Sequence, residues 1–204
     1  MPAGSQRVRT RLDRGESRDR IIAAATALIR ERGGAGLSIG EIMERAGIGR
    51  TIFYRHFDDL GDLLMKASRE AIEALYASEV ELSDDDGPSA EVFGAAIESA
   101  VAVYSQHGPL LRALQEAAPS DPRIGSAQEA IRARFDKLVA DVIAPLPRFA
   151  AMSDDEVLET ARALNLVNTA YLTDAFGREP RVSEELAVRT LSGIWLAVVE
   201  SAGG

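Results

Sequence analysis

Residues 37–57, LSIGEIMERAGIGRTIFYRHF, constrain the chain more than any other stretch. They read as two short helices joined by a tight turn. Ser38 opens the first with a capping box, its hydroxyl and the Glu41 carboxylate each meeting a free backbone N–H. Ile39, Ile42, Met43 and Ala46 then place apolar groups on one face at helical spacing. Gly47 supplies the turn, because a positive φ is open to glycine and strained for a side chain. Ile48, Ile52, Phe53 and Phe57 resume the inward face. Arg50, Thr51, Tyr54, Arg55 and His56 are left pointing outward. A short helix with an apolar back and such a front suits a DNA major groove. Helix pairs of this kind also occur in proteins that touch no nucleic acid, so the pattern alone leaves both readings open.

The flanks narrow the choice. Ser17 caps a preceding helix of about sixteen residues whose stripe is Ile21, Ile22, Ala25, Leu28 and Ile29, and Gly33-Gly34 ends it. After Phe57, Asp58 or Asp59 starts a further helix. The run SRDRIIAAATALIRERGGAGLSIGEIMERAGIGRTIFYRHFDDLGDLL resembles the N-terminal DNA-binding domain of TetR-family transcriptional regulators, unbroken from Ser17 to about Met65. The resemblance implies that Arg50 and Thr51 reach base edges and that Tyr54 and His56 meet phosphates. Arg55 suits either role, and Ser38 belongs to the same DNA-facing surface. Three positions depart from the family pattern. Gly49 replaces the usual Ser cap, Ile52 stands where Thr is common, and Leu60 occupies a frequent Lys position. Each removes a bond to the DNA backbone, so phosphate anchoring is expected to be weak.

A net charge of −9 suits a DNA binder only once it is divided. Residues 1–66 hold 12 Lys+Arg against 9 Asp+Glu, whereas residues 67–204 hold 11 against 23. Positive charge is therefore confined to the end that carries the motif. Residues 1–16 contain Arg7, Arg9, Arg11 and Arg14 without hydrophobic periodicity. They read either as a solvated tail or as a flexible arm that neutralises phosphates or enters a minor groove. With no cysteine there is neither a disulfide nor a thiolate metal site. With no signal-peptide core and no apolar run of about twenty residues, a cytoplasmic protein is expected. Its two histidines, His56 and His107, accompany no nucleophile–base, metal-ligand or phosphate-loop pattern, so no enzyme and no cofactor is expected.

The rest of the chain reads as helices, with no convincing strand alternation. One helix runs from Asp58 or Asp59 to about Leu82 and leaves the small domain for a larger one. SDDDGP at 83–88 is an acidic break, a loop rather than a metal site. A helix over 89–106 is interrupted by His107-Gly108-Pro109, and a short one follows to about Ala117. Asp121-Pro122 starts a helix to Ile143. Ser153 with Glu156 forms a capping box for a helix to about Phe176, and a last helix spans about 183–201. The expected fold is all-α with about nine helices. Its parts are a basic arm over 1–16, a three-helix DNA-binding domain over 17–65, and a ligand-binding and dimerisation domain over 66–204.

Within ARALNLVNTAYLTDAF at 161–176, Asn165 and Asn168 share one helical face amid apolar neighbours. Such amides either bond neighbouring helices and water or orient a largely apolar ligand. ALNLVN, F-G-x-E-P and the final L-x-x-I-W resemble the ligand-binding half of the EthR-type branch of the family. That resemblance implies an apolar tunnel lined by Phe93, Tyr104, Phe135, Leu138, Asn165, Asn168 and Trp195. Thr173 falls where the branch has an aromatic. It also implies a homodimer through the last two helices, with Leu191, Ile194 and Val198 at the interface or in the chain's own core. The expected function is a ligand-responsive regulator, a repressor released from a near-palindromic DNA operator by a small apolar effector. The alternative is an architectural or constitutive DNA binder.

Overall fold

The computed structural model describes residues 14–80 and 89–200. Expectations for Arg7, Arg9, Arg11 and the 83–88 break lie outside these residues. Among the described residues there are eight α-helices and no strand. They are α1 Arg14–Arg32, α2 Ile39–Ala46, α3 Leu60–Ala67, α4 Arg69–Val80, α5 Ala90–Ala117, α6 Pro122–Ile143, α7 Asp154–Phe176 and α8 Glu184–Val199.

Four of the start signals read from the sequence are where helices begin. Ser38 Oγ accepts the Glu41 N–H at 3.3 Å, and Asp59 Oδ1 accepts the Asp62 N–H at 2.9 Å. Asp121 caps α6 with Pro122 in its first position. Ser153 and Glu156 form the complete capping box of α7. Gly47 ends α2 at φ +67°, and its N–H and that of Ile48 close onto Glu44 and Met43.

Four expectations change. Ser17 is not a cap: α1, described from Arg14 onward, carries Ser17 inside it, buried. The second helix of the motif is a 3₁₀ helix, Arg50–Arg55, and its N-cap Gly49 supplies no side-chain hydrogen bond. The helix expected from Asp58 or Asp59 to about Leu82 divides at Ser68, whose ψ of −7° turns the chain away from α geometry. The hydrogen-bond ladder nevertheless crosses the bend, from Ser68 N–H to Leu64 and from Ile72 N–H to Ser68. Conversely, α5 runs unbroken through Pro109. Proline removes one ladder bond there, but packing on both sides of the helix holds it together.

Three apolar cores organise the molecule. Ile21, Ala25, Ile42, Met43, Phe53, Phe57 and Leu63 make the core of the N-terminal head. Phe93, Ile97, Val101, Leu164, Leu172, Leu191 and Trp195 belong to the larger core of the body. Between them, Ile29 of α1 and Leu64 of α3 meet Leu110, Ala113 and Leu114 of α5 and Ile124 of α6. This joint is close-packed: a Cβ on Gly34 would sit 2.7 Å from Ala113 Cβ. Arg30 donates to the Gln106 carbonyl at 2.7 Å, and Arg123 of α6 reaches Asp59 at 2.7 Å. Head and body are therefore coupled by both apolar and charged contacts.

Candidate nucleic-acid interface and internal cavity

The recognition segment is pinned from behind. Phe53 and Phe57 are buried, and the Phe53 ring meets Tyr54 edge-on at 5.4 Å. Tyr54 is thereby turned outward, 55% exposed, beside exposed Arg50, Thr51 and Arg55. Arg50 and Arg55 make no ion pair among the described residues. The other arginines of the motif's surroundings are engaged: Arg45 forks onto Glu31, and Arg32 reaches Glu41 at 2.8 Å. Arg32, followed by the Ser38 hydroxyl, holds the Glu41 carboxyl down at about 2. Of the motif's three arginines, Arg50 and Arg55 are thus the two without a carboxylate among the described residues. His56 is placed differently from its outward reading. It is half-buried, with Nε2 2.9 Å from Ser17 Oγ, and it joins the end of the segment to α1. Ser38 is exposed at the α2 cap.

A cavity of about 320 Å³ lies among α4, α5, α6 and α7. Ile72 and Leu75 of α4, Leu111 and Leu114 of α5, and Ile131 and Phe135 of α6 give it mainly apolar walls. Its size falls at the lower end of small-molecule sites. Of the residues expected to line a tunnel, Tyr104, Phe135, Asn165 and Asn168 stand on the wall. Both asparagines are also held by the protein. Asn165 Nδ2 donates to Asp136 Oδ1 at 2.9 Å, and both residues are buried. Asn168 Oδ1 accepts the Trp195 indole N–H at 3.0 Å. Burial pushes the Tyr104 phenol up, opposed by its hydrogen bonds with Thr173 and Thr169.

Phe93, Leu138 and Trp195 do not line the cavity. Phe93 and Trp195 pack on each other, 5.6 Å between ring centres, where α8 lies against α5. Leu138 lies against the body core from α6. Sequence reasoning missed Gln115, Gln128, Arg132 and Thr169 on the wall and Asp136 behind it. The signal on α6 was present: Gln128, Ile131, Arg132 and Phe135 recur at three- and four-residue spacing. Leu191 is fully buried within this chain, so it belongs to the core rather than to an exposed surface. No helix among the described residues is long and apolar enough to cross a membrane.

A helix-turn-helix head, tightly joined to a helical body with a ligand-sized cavity, defines a class of DNA-binding regulators. Residues 21–65 match the bacterial regulatory proteins of the tetR family, and residues 93–201 match the C-terminal domain of the transcriptional regulator EthR. The HTH-type transcriptional regulator EthR of Mycobacterium tuberculosis is 28% identical over 198 residues, which cover 94% of this chain and 91% of that protein. Two solved structures share the fold. PfmR, a TetR-family regulator from Thermus thermophilus, has a TM-score of 0.71 at 18% identity, covering 91% of this chain and all of that one. A TetR-like regulator from Rhodococcus sp. RHA1 has a TM-score of 0.70 at 18% identity, covering 94% of this chain and all of that one. The chain belongs to the TetR family of transcriptional regulators, with an EthR-type C-terminal domain. Its relatives are regulators of transcription rather than enzymes.

Proposed function

We propose that the chain is a ligand-responsive repressor that binds a near-palindromic operator as a homodimer and is released by a small, mainly apolar effector in the cavity. The observation that carries this reading is the position of α4. Ile72 and Leu75 of that helix face the cavity, and one bend away, at Ser68, α3 belongs to the head. A molecule lodged against Ile72 and Leu75 therefore acts on the helix that sets the head's orientation. It shifts the population only if it binds the released conformation more tightly than the operator-bound one. Residues 17–65 would be the DNA-binding unit and 66–204 the effector and dimer unit, in the cytoplasm.

The dimer reading is supported by Leu158, Leu166 and Val167 on α7 and Leu186 and Ile194 on α8, all exposed large apolar side chains. Val198 is half-buried beside the body core, so Ile194 is the better interface residue of the two. Two heads held by such a bundle would meet successive major grooves, roughly 34–36 Å apart.

Two measurements on operator DNA test the reading, once a footprint has located the site. Arg50→Ala is expected to weaken operator binding by about 1–3 kcal/mol, the range for one well-made base contact, and to leave the melting temperature unchanged. Unchanged affinity for that variant would remove the 3₁₀ segment from the interface. The second concerns the arm. Gly49, Ile52 and Leu60 leave the head few backbone anchors, and the arginines at 7, 9 and 11 are proposed to supply the missing contacts. Deleting residues 1–14 is expected to make the fall of affinity with salt shallower, by about 0.9 in log–log slope for each phosphate no longer neutralised. Identical slopes for the two proteins would show that the arm stays off the DNA. Binding without sequence preference, unaffected by any ligand, would favour the architectural reading instead.

A further inference from the structure

The wall that α6 contributes to the cavity is chemically distinct. Arg132 is the one permanently charged side chain among the lining residues, and it stands between Gln128 and Phe135 on a single helical face. Its ion-pair partner is Glu129, three residues away on the same helix, at 3.3 Å. That carboxylate side chain is 68% exposed, so the pair is screened and exchanges readily for a better-placed anion. The Arg132 side chain itself is 39% exposed, so it is shared between solvent and the cavity wall.

Two of the other polar groups on the wall are biased in the same sense. An indole N–H only donates, so the Trp195 bond fixes Asn168 with its oxygen engaged and its N–H₂ left over. Gln115 Oε1 accepts the Thr173 hydroxyl at 3.2 Å, which leaves its N–H₂ as well. Asn165 is the reverse case, with its N–H₂ on Asp136 and its oxygen left. The groups remaining are donors on Arg132, Asn168 and Gln115, an acceptor on Asn165, and the Gln128 amide, which offers both. An ammonium head could use none of these donors and a neutral alcohol at most two, whereas a carboxylate accepts several at once and with charge assistance.

We propose that the cavity takes a monocarboxylic acid with an apolar body, its carboxylate on the Arg132 guanidinium and its body among Ile72, Leu75, Leu111 and Ile131. This rests on the reading of the cavity as the effector site. A volume of 320 Å³ is that of about ten water molecules, which suits a body of medium length rather than a long lipid tail. The acidic surplus of residues 67–204 opposes anions at a distance, but screening over about 8 Å at physiological salt leaves the local guanidinium dominant.

Octanoate, octanol and octylamine share one apolar body and differ in the head group. Calorimetric titration of the full chain with each is expected to rank octanoate first, about tenfold or more tighter than octanol, with octylamine last. In Arg132→Gln, octanoate and octanol should come within about twofold, since the charge-assisted bonds are gone. In Arg132→Glu, octylamine should overtake octanoate. Arg132 is partly exposed, so both variants should melt as the parent does, and Arg132→Lys should retain part of the preference. Octanol matching octanoate in the parent, an undiminished preference in Arg132→Gln, or no binding of any of the three overturns the proposal. Release of operator DNA is read separately. Octanoate that binds with the expected preference but releases no DNA supports the acid site and defeats the effector reading. Release produced equally by octanol and octanoate keeps the effector reading and overturns the acid site.

Discussion

Asn165→Leu is expected to lower the free energy of unfolding by about 3 kcal/mol, the upper end of what a hydrogen bond to a charged group contributes. Leucine keeps the branched outline of the amide and places its added bulk on the cavity wall, so the lost donor is the main source of the effect. Asp136 is 7% exposed, and its Oδ1 receives the Asn165 amide at 2.9 Å. Without that donor a buried carboxylate keeps its desolvation penalty and loses its compensation. The companion Asp136→Leu removes the charge as well, and the double variant should recover most of the stability of the parent, because replacing both partners of a buried polar pair is nearly neutral. Denaturant unfolding of the four proteins closes the cycle. A single-variant loss below about 0.5 kcal/mol would mean that water already serves Asp136. The same cycle separates two roles for Asn165 that the sequence left open, holding the body together and meeting a ligand. A destabilised Asn165→Leu that still binds effector normally assigns it to the first.

What the sequence disclosed follows from the range of the interactions involved. The head was legible because its determinants are local: a cap and its third residue, a glycine with φ +67° and apolar positions three and four apart. Asn165 and Asn168 were legible as amides in need of partners, but the partners were not. Asp136 and Trp195 lie 29 and 27 residues away along the chain, and nothing local couples them. Phe93 and Trp195 were assigned to a tunnel by resemblance, and here their rings meet each other in the α5–α8 core. Residues three apart, Leu191 and Ile194, looked equivalent by spacing. Only packing distinguishes them, the first fully buried and the second 38% exposed. Ser68 gave no signal at all. It is a buried hydroxyl with no hydrogen-bond partner among the described residues, at the bend between α3 and α4, a position that only the three-dimensional path reveals.

His107-Gly108-Pro109 is the most instructive misreading, and it carries the second large effect. The tripeptide has the composition of a break, yet α5 continues through it. The glycine is there for contact rather than for chain reversal. A Cβ on Gly108 would press into the Phe176 carbonyl group at the end of α7, with backbone on the receiving side. Gly108→Val must therefore drive α5 and α7 apart, and neither can yield by a rotamer change alone. Overpacking of this kind costs about 3 kcal/mol or more, beyond any gain from replacing a helical glycine. The damage should reach the cavity, because α5 brings Tyr104, Leu111 and Leu114 to it and α7 brings Asn165, Asn168 and Leu172. Gly108→Val is thus expected to unfold at distinctly lower denaturant and to lose ligand binding, while the isolated contacts of the DNA-facing segment are untouched. Gly94, on the same helix, supplies the control, since a Cβ there would meet no atom within 4 Å. Gly94→Ala should be neutral or stabilising by up to about 1 kcal/mol, as for any helical glycine with open space beside it. Equal behaviour of the two variants would show that α5 and α7 slide past each other freely at Gly108, and a helix pair so loosely joined is a poor wall for a selective site.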